Sequence, residues 1–230
     1  MPERVSPHAG MSDETLEHHM KRYIFAQPYV AGKTVLSIAC GNGYGEHMFA
    51  TEAKAARVIG MDVSEEAIDF AKEHYQAEHL EYRVCDALAI DLPDNAVDVV
   101  VSFETIEHIE DDIGYLKELR RVLKPGGIAL ISTPNKAKSL KNYFASKPLN
   151  PYHVREYVPH TFTQTLETTF EITGFYGQKT IFKRRWYMVP LYMLYKLFGR
   201  LRTIERRDYE VRPYPKGLLE ETAIFVAVCT

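Results

Sequence analysis

The chain has 230 residues, a formal net charge of −3 and 46% hydrophobic residues, a composition that fits one soluble globular domain with a substantial core. A charge this close to zero gives no general attraction to phosphates, so a nucleic-acid partner is not expected. The three cysteines, Cys40, Cys85 and Cys229, are widely spaced in or beside apolar runs. This spacing argues against a disulfide framework or a zinc site and predicts core residues.

The amino terminus is polar and lacks the apolar segment of a secretory signal. The longest apolar stretch, residues 186–198, contains Pro190 and Lys196 and is shorter than the roughly 20 residues needed to span a bilayer. We therefore expect a cytoplasmic protein that does not cross a membrane by itself.

Short β-rich runs alternate with longer helical patterns after a helical lead-in over residues 1–30, an order that predicts parallel strands joined by crossover helices. The expected strands are 34–39, 57–62, 80–85, 97–102, 127–133, 171–176 and 223–229, and the clearest helical spacing covers 43–54, 64–76 and 111–123. Ser64 is predicted to cap the second of these helices. Pro125-Gly126-Gly127 is predicted to end the third one and turn the chain into the next strand.

The pattern predicts a single α/β domain over residues 1–230, with a lead-in (1–30), a core (31–135) and a final region of loops, an insertion and the last two strands (136–230). The stretch between the last two strands has roughly 40 residues, which is longer than most loops in compact domains. We expect it to contain structure of its own.

A glycine-rich turn follows the first predicted strand, with Gly41, Gly43 and Gly45 in the segment VLSIACGNGYGE, and Asp62 ends the second strand. Glycines let the backbone approach a ligand at the carboxyl edge of a sheet, and a carboxylate there can accept from both hydroxyls of a ribose. Dinucleotide-binding proteins have a glycine where this chain has Glu46. A carboxylate facing a pyrophosphate would be repulsive, so a cofactor without phosphate is favoured.

Four segments in this order resemble class I S-adenosylmethionine-dependent methyltransferases over roughly residues 30–135: VLSIACGNGYGE, VIGMDVSEEAID, CDALAIDLPDNAVDVVVSFETIEH and RVLKPGGIALISTPN. The resemblance implies a doubly wound, Rossmann-like, mostly parallel sheet of seven strands that binds S-adenosyl-L-methionine. It implies that Gly41 and Gly43 pass the methionine moiety, that Asp62 holds the ribose, and that Asp86 with Ala87 takes the adenine amino group. The other implied cofactor-binding residues are Ala39, Asn42, Val63, Phe103 and Tyr23.

Simpler interpretations exist for parts of this cofactor site. The turn with its strand-end carboxylates could be only a tight turn, and Asp86 could cap a surface helix. The resemblance implies that His18, Arg22 and Tyr23 of the leading helix close over the cofactor carboxylate. A solvated helical face is the alternative for these three residues.

A second group of polar residues follows the fourth predicted strand. Glu104, Glu107 and His108 stand at i, i+3 and i+4, which would place them on one side of a helical turn at the same edge of the sheet. Two carboxylates and an imidazole can hold Mg²⁺ or another divalent metal. In this interpretation His108 and Glu107 are the catalytic residues. Alternatively, Glu104 touches the cofactor, Glu107 caps a helix, and His108 acts alone as a base or only packs.

A fourth metal ligand is suggested by His153 in the segment NPYHVREY. The combination E-x-x-E-H followed by H-x-x-E-Y resembles metal-dependent 2′-O-methyltransferases of small RNA 3′ ends, and quinone-pathway catechol O-methyltransferases share its first half. NPYHVREY itself resembles a segment of methyltransferases of bacterial surface-glycan synthesis. The alternative for His153 is a loop histidine bonded to a backbone group.

Residues 183–202 mix aromatic and basic side chains. Three interpretations fit this composition: a helix packing its aromatic residues onto the core, a peripheral contact with anionic lipid at the inner face of the membrane, and a lid over a phosphate-bearing acceptor. The sequence does not distinguish among these three interpretations of the insertion, residues 183–217.

The sequence thus predicts an O-methyltransferase acting on a hydroxyl of a sugar, glycan or glycoconjugate precursor. A quinone or small aromatic metabolite is the alternative acceptor. RNA ranks below both, because the overall charge does not indicate a backbone-binding surface. A protein that binds the cofactor without catalysis is the alternative outside the enzymes.

Overall fold

The computed structural model describes residues 13–138, 147–148, 150–179, 211–213 and 222–230. Its strands are β1 (Thr34–Ile38), β2 (Arg57–Asp62), β3 (Leu80–Val84), β4 (Val97–Phe103), β5 (Leu123–Pro134), β6 (Ile172–Lys179), β7 (Val211–Pro213) and β8 (Thr222–Cys229). Its α-helices are α1 (Asp13–Val30), α2 (Tyr44–Thr51), α3 (Glu65–His74), α4 (Asp112–Val122) and α5 (Pro159–Glu167). The predicted elements are confirmed, with shifts of a few residues at their ends.

All the strands belong to one sheet in the order β3-β2-β1-β4-β5-β8-β6-β7. The pairs β2–β3, β1–β2, β1–β4 and β4–β5 are parallel, and β8 runs antiparallel between β5 and β6. This confirms the doubly wound α/β fold. The short strand β7 comes from the expected insertion and pairs with β6, while residues 183–202 lie outside the described residues.

Alternate residues of the central strands enter the two halves of the core, as the twofold repeat of a strand requires. Val35 faces a cluster that contains Tyr23 and Val30 of α1, whereas Leu36 faces a cluster with Leu116 of α4. The sheet is therefore covered by helices on both faces. The three cysteines are free and buried, as predicted. Among the described residues, no helix combines the length and the hydropathy that a membrane crossing needs.

Two local predictions have different outcomes. Ser64 caps α3, because its hydroxyl accepts from the Ala67 amide at 3.3 Å. Pro125-Gly126-Gly127, in contrast, does not end α4. Leu123 already pairs with Val97 in the sheet. Residues 125–127 form an irregular segment within β5, where Gly126 has φ +73°.

The crossover between β1 and β4 sets the position of the site. From β1 the chain moves outward through β2 to β3 and then returns to β4 on the other side of β1. The loops after β1 and β4 diverge at such a point and leave a crevice at the carboxyl edge of the sheet. Ala39 and Glu104, the residues that follow these two strands, have φ +56° and +53°. Positive φ values are strained for residues with a Cβ.

We expect Ala39→Gly to raise the free energy of unfolding by about 0.5–1 kcal/mol, since glycine has no steric penalty at positive φ but a more flexible unfolded state. Urea unfolding monitored by circular dichroism measures the change. Ala67→Gly, in the ordinary helical backbone of α3, is the control and should lower stability by up to about 1 kcal/mol. Equal losses in both variants would show that Ala39 is not strained.

Candidate active site

The carboxylate of Asp62 joins the ends of β1 and β2. One oxygen accepts from the Gly41 amide at 2.9 Å and the other from the Ser64 amide at 2.9 Å. These bonds fix the carboxylate at the edge of the crevice and leave lone pairs available to a ligand. The structure thus brings together Gly41 and Asp62, two of the residues predicted to bind the cofactor.

The three glycines of the turn have different surroundings. A Cβ at Gly43 would lie 2.7 Å from the Tyr82 hydroxyl, and a Cβ at Gly45 would lie 1.9 Å from the Tyr23 ring. Gly41 has φ +55° and no neighbouring atom within 4 Å of a built Cβ. Packing within the protein therefore accounts for Gly43 and Gly45, and Gly41 is the glycine that leaves open space for a ligand.

Tyr23 of α1 covers this turn. Its ring centroid lies 5.4 Å from those of Phe49 and Phe103 and 5.3 Å from that of Tyr44. Tyr23 and Phe103, both predicted to bind cofactor, are thus buried neighbours at the inner end of the crevice. Asn42, also predicted, is buried in the turn, whereas Ala39 is exposed.

The remaining predicted cofactor residues lie at the ends of β2 and β3. Val63, which follows Asp62, is 73% exposed, and its counterpart two residues after Asp86, Leu88, is 41% exposed. Such exposure is unusual for apolar side chains beside strand-end carboxylates. Asp86 accepts from the Leu88 amide at 2.9 Å, and Ala87 is half-buried. This bond makes Asp86 part of a local turn. The helix-cap interpretation of Asp86 is wrong, because no helix begins there.

Glu107 is fully buried after β4. One carboxyl oxygen accepts from the Thr133 hydroxyl at 2.9 Å, and the other has no hydrogen-bond partner among the described residues. Burial raises the pKa of Glu107 well above its usual range, and the charge of Glu104 adds to this effect. A buried oxygen without a partner is costly, so this oxygen is available to a proton, a cation or a ligand hydroxyl.

Two histidines lie beside Glu107 with fixed ring orientations. The Nδ1–H of His108 donates to the Tyr152 carbonyl at 2.9 Å. His153 Nε2 accepts from the Asn150 side-chain amide at 2.9 Å, so its Nδ1–H donates to Glu156 at 3.1 Å. The Nε2 lone pair of His108 therefore points away from Tyr152, whereas that of His153 accepts the hydrogen bond from Asn150.

Glu107, His108 and His153 each offer one ligand atom, and these atoms all lie within 4.8 Å of one another. Glu104 stands apart from them. Its backbone turns at positive φ, and its carboxylate accepts from the Ser132 hydroxyl at 2.8 Å. The expectation that residues 104–108 form one helical turn is wrong, because only Ile106–His108 form a short 3-10 helix. The structure brings together three of the four predicted metal ligands.

The loop that carries His153 is held onto the end of β4. The Val154 and Arg155 amides donate to the Glu107 carbonyl at 2.9 and 3.3 Å. Arg155 also pairs with Asp112 at the start of α4. Although burial opposes it, hydrogen bonding from Arg155 and Tyr157 lowers the pKa of Asp112. The histidine loop is thus fixed both to the strand and to the neighbouring helix.

Sequence reasoning missed the residues that support this cluster, namely Thr133, Asn150, Glu156, Asp112 and Arg155. One signal was present in the sequence, because His153 and Glu156 stand three residues apart in the quoted segment. The other contacts join segments that are distant along the chain, and no local pattern indicates them.

Arg22 of α1 is fully buried and does not lie on a solvated face. It donates to the Gln178 side chain and to Nδ1 of His19, both at 2.9 Å, while its Nε–H has no acceptor in the described parts of the chain. Burial and the Arg22 charge lower the pKa of His19 to about 2, so that ring is neutral and can accept. The positive charge also reaches Glu107, where it opposes the rise in pKa.

Glu46 lies in the first turn of α2 and is fully buried. The sequence argument against a dinucleotide assumed that the Glu46 carboxylate faces the phosphates of the ligand. This assumption is wrong, because the side chain does not face such a space. It points to β1, where the Ser37 hydroxyl donates to it at 2.6 Å. Burial raises the pKa of Glu46 to about 7.

The chain is similar to known methyltransferases in sequence and in fold. A family model described as a methyltransferase domain matches residues 36–131, the segment that holds β1 to β5 up to Ile131. Residues 36–131 are thus similar in sequence to a methyltransferase domain. The described methyltransferase fold also superposes on a methyltransferase from Mesorhizobium loti with a TM-score of 0.62 and 17% identity, covering 92% of this chain and 97% of that one.

Curated relatives point to the same family. A protein from Mycolicibacterium smegmatis named "Probable S-adenosylmethionine-dependent methyltransferase" is 36% identical over 76% of this chain and 66% of its own length. A ubiquinone biosynthesis O-methyltransferase from Roseobacter denitrificans is 28% identical over 79% of this chain and 74% of its own length. The chain spans 66% of the first of these relatives and 54% of two from Mycobacterium tuberculosis.

The surroundings of Gly45 and Gly41 predict different effects of adding one methyl group at these two positions of the glycine turn. Gly45→Ala must displace the Tyr23 ring and should cost about 1–3 kcal/mol with faster amide hydrogen exchange throughout α1. Gly41→Ala should cost roughly 1–2 kcal/mol from the strained backbone alone and leave exchange in α1 unchanged. Hydrogen exchange measured by mass spectrometry separates the two, and unaltered α1 exchange in Gly45→Ala would contradict the packing described.

Proposed function

We propose that this protein is an S-adenosylmethionine-dependent O-methyltransferase whose base is His108. The proposal is carried by the fixed orientation of the His108 ring, whose Nδ1–H is held by the Tyr152 carbonyl. In this tautomer Nε2 has a lone pair and can accept the proton of an acceptor hydroxyl. The crevice beside it has the open glycine and the strand-end carboxylate that suit an adenosyl cofactor.

The bound donor would supply a methyl group on a cationic sulfur that is open to in-line displacement. Because the space around Gly41 is open, the donor can lie close to the protein backbone there. Asp62 can accept hydrogen bonds from the ribose hydroxyls of the donor. His108 takes the proton as the acceptor oxygen becomes a nucleophile. Positioning of the two reactants accounts for much of the rate in such a displacement, and the bonded loop at residues 150–157 is suited to that purpose.

As an alternative to the base role of His108, the donor set fits a divalent metal held by Glu107, His108 and His153. The Nε2 lone pair of His108 binds either the proton or the metal, so in a metal-bound protein the ion would activate the hydroxyl in place of the base. The unpartnered Glu107 oxygen and Nε2 of His108 would be ligands, and Nε2 of His153 would join them by giving up the hydrogen bond that it accepts from the Asn150 amide. Glu156 orients His153 through its Nδ1–H, as carboxylates commonly do behind metal-binding histidines. When bound, an ion would lower the pKa of a coordinated hydroxyl. Two imidazoles with one carboxylate favour Mn²⁺, Co²⁺ or Zn²⁺ over Mg²⁺, which prefers oxygen ligands.

The acceptor we propose is a ring-borne hydroxyl of a sugar in glycan or glycoconjugate synthesis. Tyr152 and Val154 support this choice, since both are more than 40% exposed beside the base, 49% and 44% respectively. They offer an apolar surface to one face of a ring. The resemblance of the same loop, residues 150–157, to methyltransferases of surface-glycan synthesis points to a sugar ring.

An aromatic diol is the second candidate, favoured by the similarity to a ubiquinone biosynthesis O-methyltransferase. The exposed Tyr152 and Val154 would suit its flat apolar ring equally well. A screen for S-adenosylhomocysteine release with nucleotide-linked hexoses and with catechol decides between the two. Turnover of catechol alone would contradict the sugar proposal.

With the acceptor selected by that screen, His108→Asn should lower kcat by about 10²–10⁴-fold, the usual effect of losing a general base. The affinity for S-adenosylhomocysteine should stay within about twofold of the wild type, because His108 lies on the acceptor side of the crevice. His160→Asn, at an exposed position on α5, is the matched control and should retain full activity. Undiminished turnover by His108→Asn would remove His108 as the base.

The metal assignment predicts that the purified protein binds one Mn²⁺ and that His153→Ala weakens this binding by more than the roughly 10–100-fold that loss of an outer-shell partner usually costs. His160→Ala, at an exposed position on α5, is the matched control and should retain the affinity. Calorimetric titration with Mn²⁺ alone measures both variants. Equal Mn²⁺ affinity of His153→Ala and the wild type would refute the ligand set.

A further inference from the structure

The loop over residues 150–157 is attached to its surroundings by side chains that the proposed methyl transfer does not use. Arg155 and Tyr157 both bond to the carboxylate of Asp112 in the first turn of α4, the tyrosine hydroxyl at 2.8 Å. Arg155 also donates to the carbonyl of Glu110. Asp112 is therefore the residue at which two side chains of the loop meet the neighbouring helix.

The contacts of Asp112 are partly shielded from water. Its side chain is 15% exposed, that of Arg155 is half-buried, and Tyr157 is buried. Hydrogen bonds to an ionised group are roughly twice as strong as neutral ones, and salt screens partly buried pairs less than exposed ones. Asp112 thus adds a strong attachment to the two backbone bonds that the loop makes with the Glu107 carbonyl.

The same loop determines which ring nitrogen of His108 has the hydrogen. A carbonyl only accepts, so the 2.9 Å bond between Nδ1 and the Tyr152 carbonyl requires a hydrogen on Nδ1. In water a neutral histidine prefers the other tautomer, which has its hydrogen on Nε2. In that tautomer Nε2 has no lone pair for a proton or a metal. The loop therefore holds His108 in the less common form that its proposed role needs.

The bond between His108 and Tyr152 is exposed to solvent, and Tyr152 is 49% exposed. Water competes for an exposed carbonyl, so a single bond of this kind is weak on its own. The carbonyl stays beside Nδ1 when the residues that follow it are fixed. Those residues, 153–157, are the ones held by Asp112 and by the Glu107 carbonyl.

We propose that Asp112 is a positioning residue for His108. Through Arg155 and Tyr157 it holds the loop in place, and the Tyr152 carbonyl of that loop then fixes the Nδ1–H tautomer of the histidine ring. The inference rests on the proposed function, since it takes Nε2 of His108 as the atom that binds the proton or the metal. Asp112 acts through the loop and has no assigned contact with either reactant.

Nuclear magnetic resonance of protein labelled with ¹⁵N at histidine measures the tautomer of His108 directly. Protonated and unprotonated ring nitrogens differ widely in ¹⁵N shift, and the signals that disappear in His108→Asn identify this ring. Spectra are recorded at pH 8.5 with a chelator, so that the ring is neutral and free of metal.

The variants are Asp112→Asn, which keeps an oxygen but loses the charge, and Asp112→Ala, which loses both. Asp111→Asn is the matched control, because it removes the neighbouring, exposed carboxylate of the same helix end. Its asparagine can still accept from the Gly114 amide and cap α4.

We expect the wild type and Asp111→Asn to have the His108 hydrogen on Nδ1. Asp112→Asn should show a mixture of the two tautomers, and Asp112→Ala should show mainly Nε2–H. With the acceptor selected by the screen, kcat of Asp112→Ala should fall by about 10–100-fold, because a misplacement of about 1 Å can cost 10²-fold. The affinity for S-adenosylhomocysteine should be unchanged, since Gly41 and Asp62 lie on the other side of the crevice.

Three results would overturn the proposal: a wild type with the hydrogen on Nε2 of His108, an unchanged Nδ1–H tautomer in Asp112→Ala, or a loss of S-adenosylhomocysteine affinity in both Asp112 variants, which indicates a general role in folding. The proposed function fails in a different way. A wild type with the Nδ1–H tautomer that methylates no hydroxyl in the screen would contradict it, while a tautomer shift in the Asp112 variants would still support the positioning role.

Discussion

The parallel pairing of β1 with β4 is the constraint on which the site depends. It places the glycine turn and the Glu104–His108 segment at one edge of the sheet, although more than sixty residues separate Gly41 from Glu107. Each of these strands is followed directly by a residue with positive φ. These sharp turns direct one loop toward the cofactor side and the other toward the acceptor side of the same crevice.

Buried carboxyl groups are the second feature shared by both sides of the crevice. Glu46 and Glu107 are fully buried, each has one oxygen bonded to a hydroxyl and one without a partner among the described residues, and burial raises the pKa of both. A protein interior accepts such groups when a cation or a proton completes them. For Glu107 the proposed cation is a divalent metal.

Much of the fold and the cofactor side follows from local sequence patterns. Strand periodicity and the spacing from Gly41 to Asp62 predicted the sheet and the contact between the first two strand ends. The acceptor side was less predictable, because the positive φ of Glu104 belongs to a residue type that rarely adopts it, and a helical i, i+3, i+4 pattern assumes regular backbone. The bonds of His108 and His153 depend on a loop more than forty residues from β4, which sequence spacing alone does not locate.

A crystal structure with S-adenosylhomocysteine tests the central claim, that the crevice between the β1 and β4 loops binds the methyl donor beside His108. The ribose hydroxyls should lie within hydrogen-bond distance of Asp62, with the amino-acid end along Gly41 and the sulfur directed toward the end of β4. Density for the nucleoside elsewhere on the protein, or a sulfur turned away from His108 toward β3, would contradict the claim.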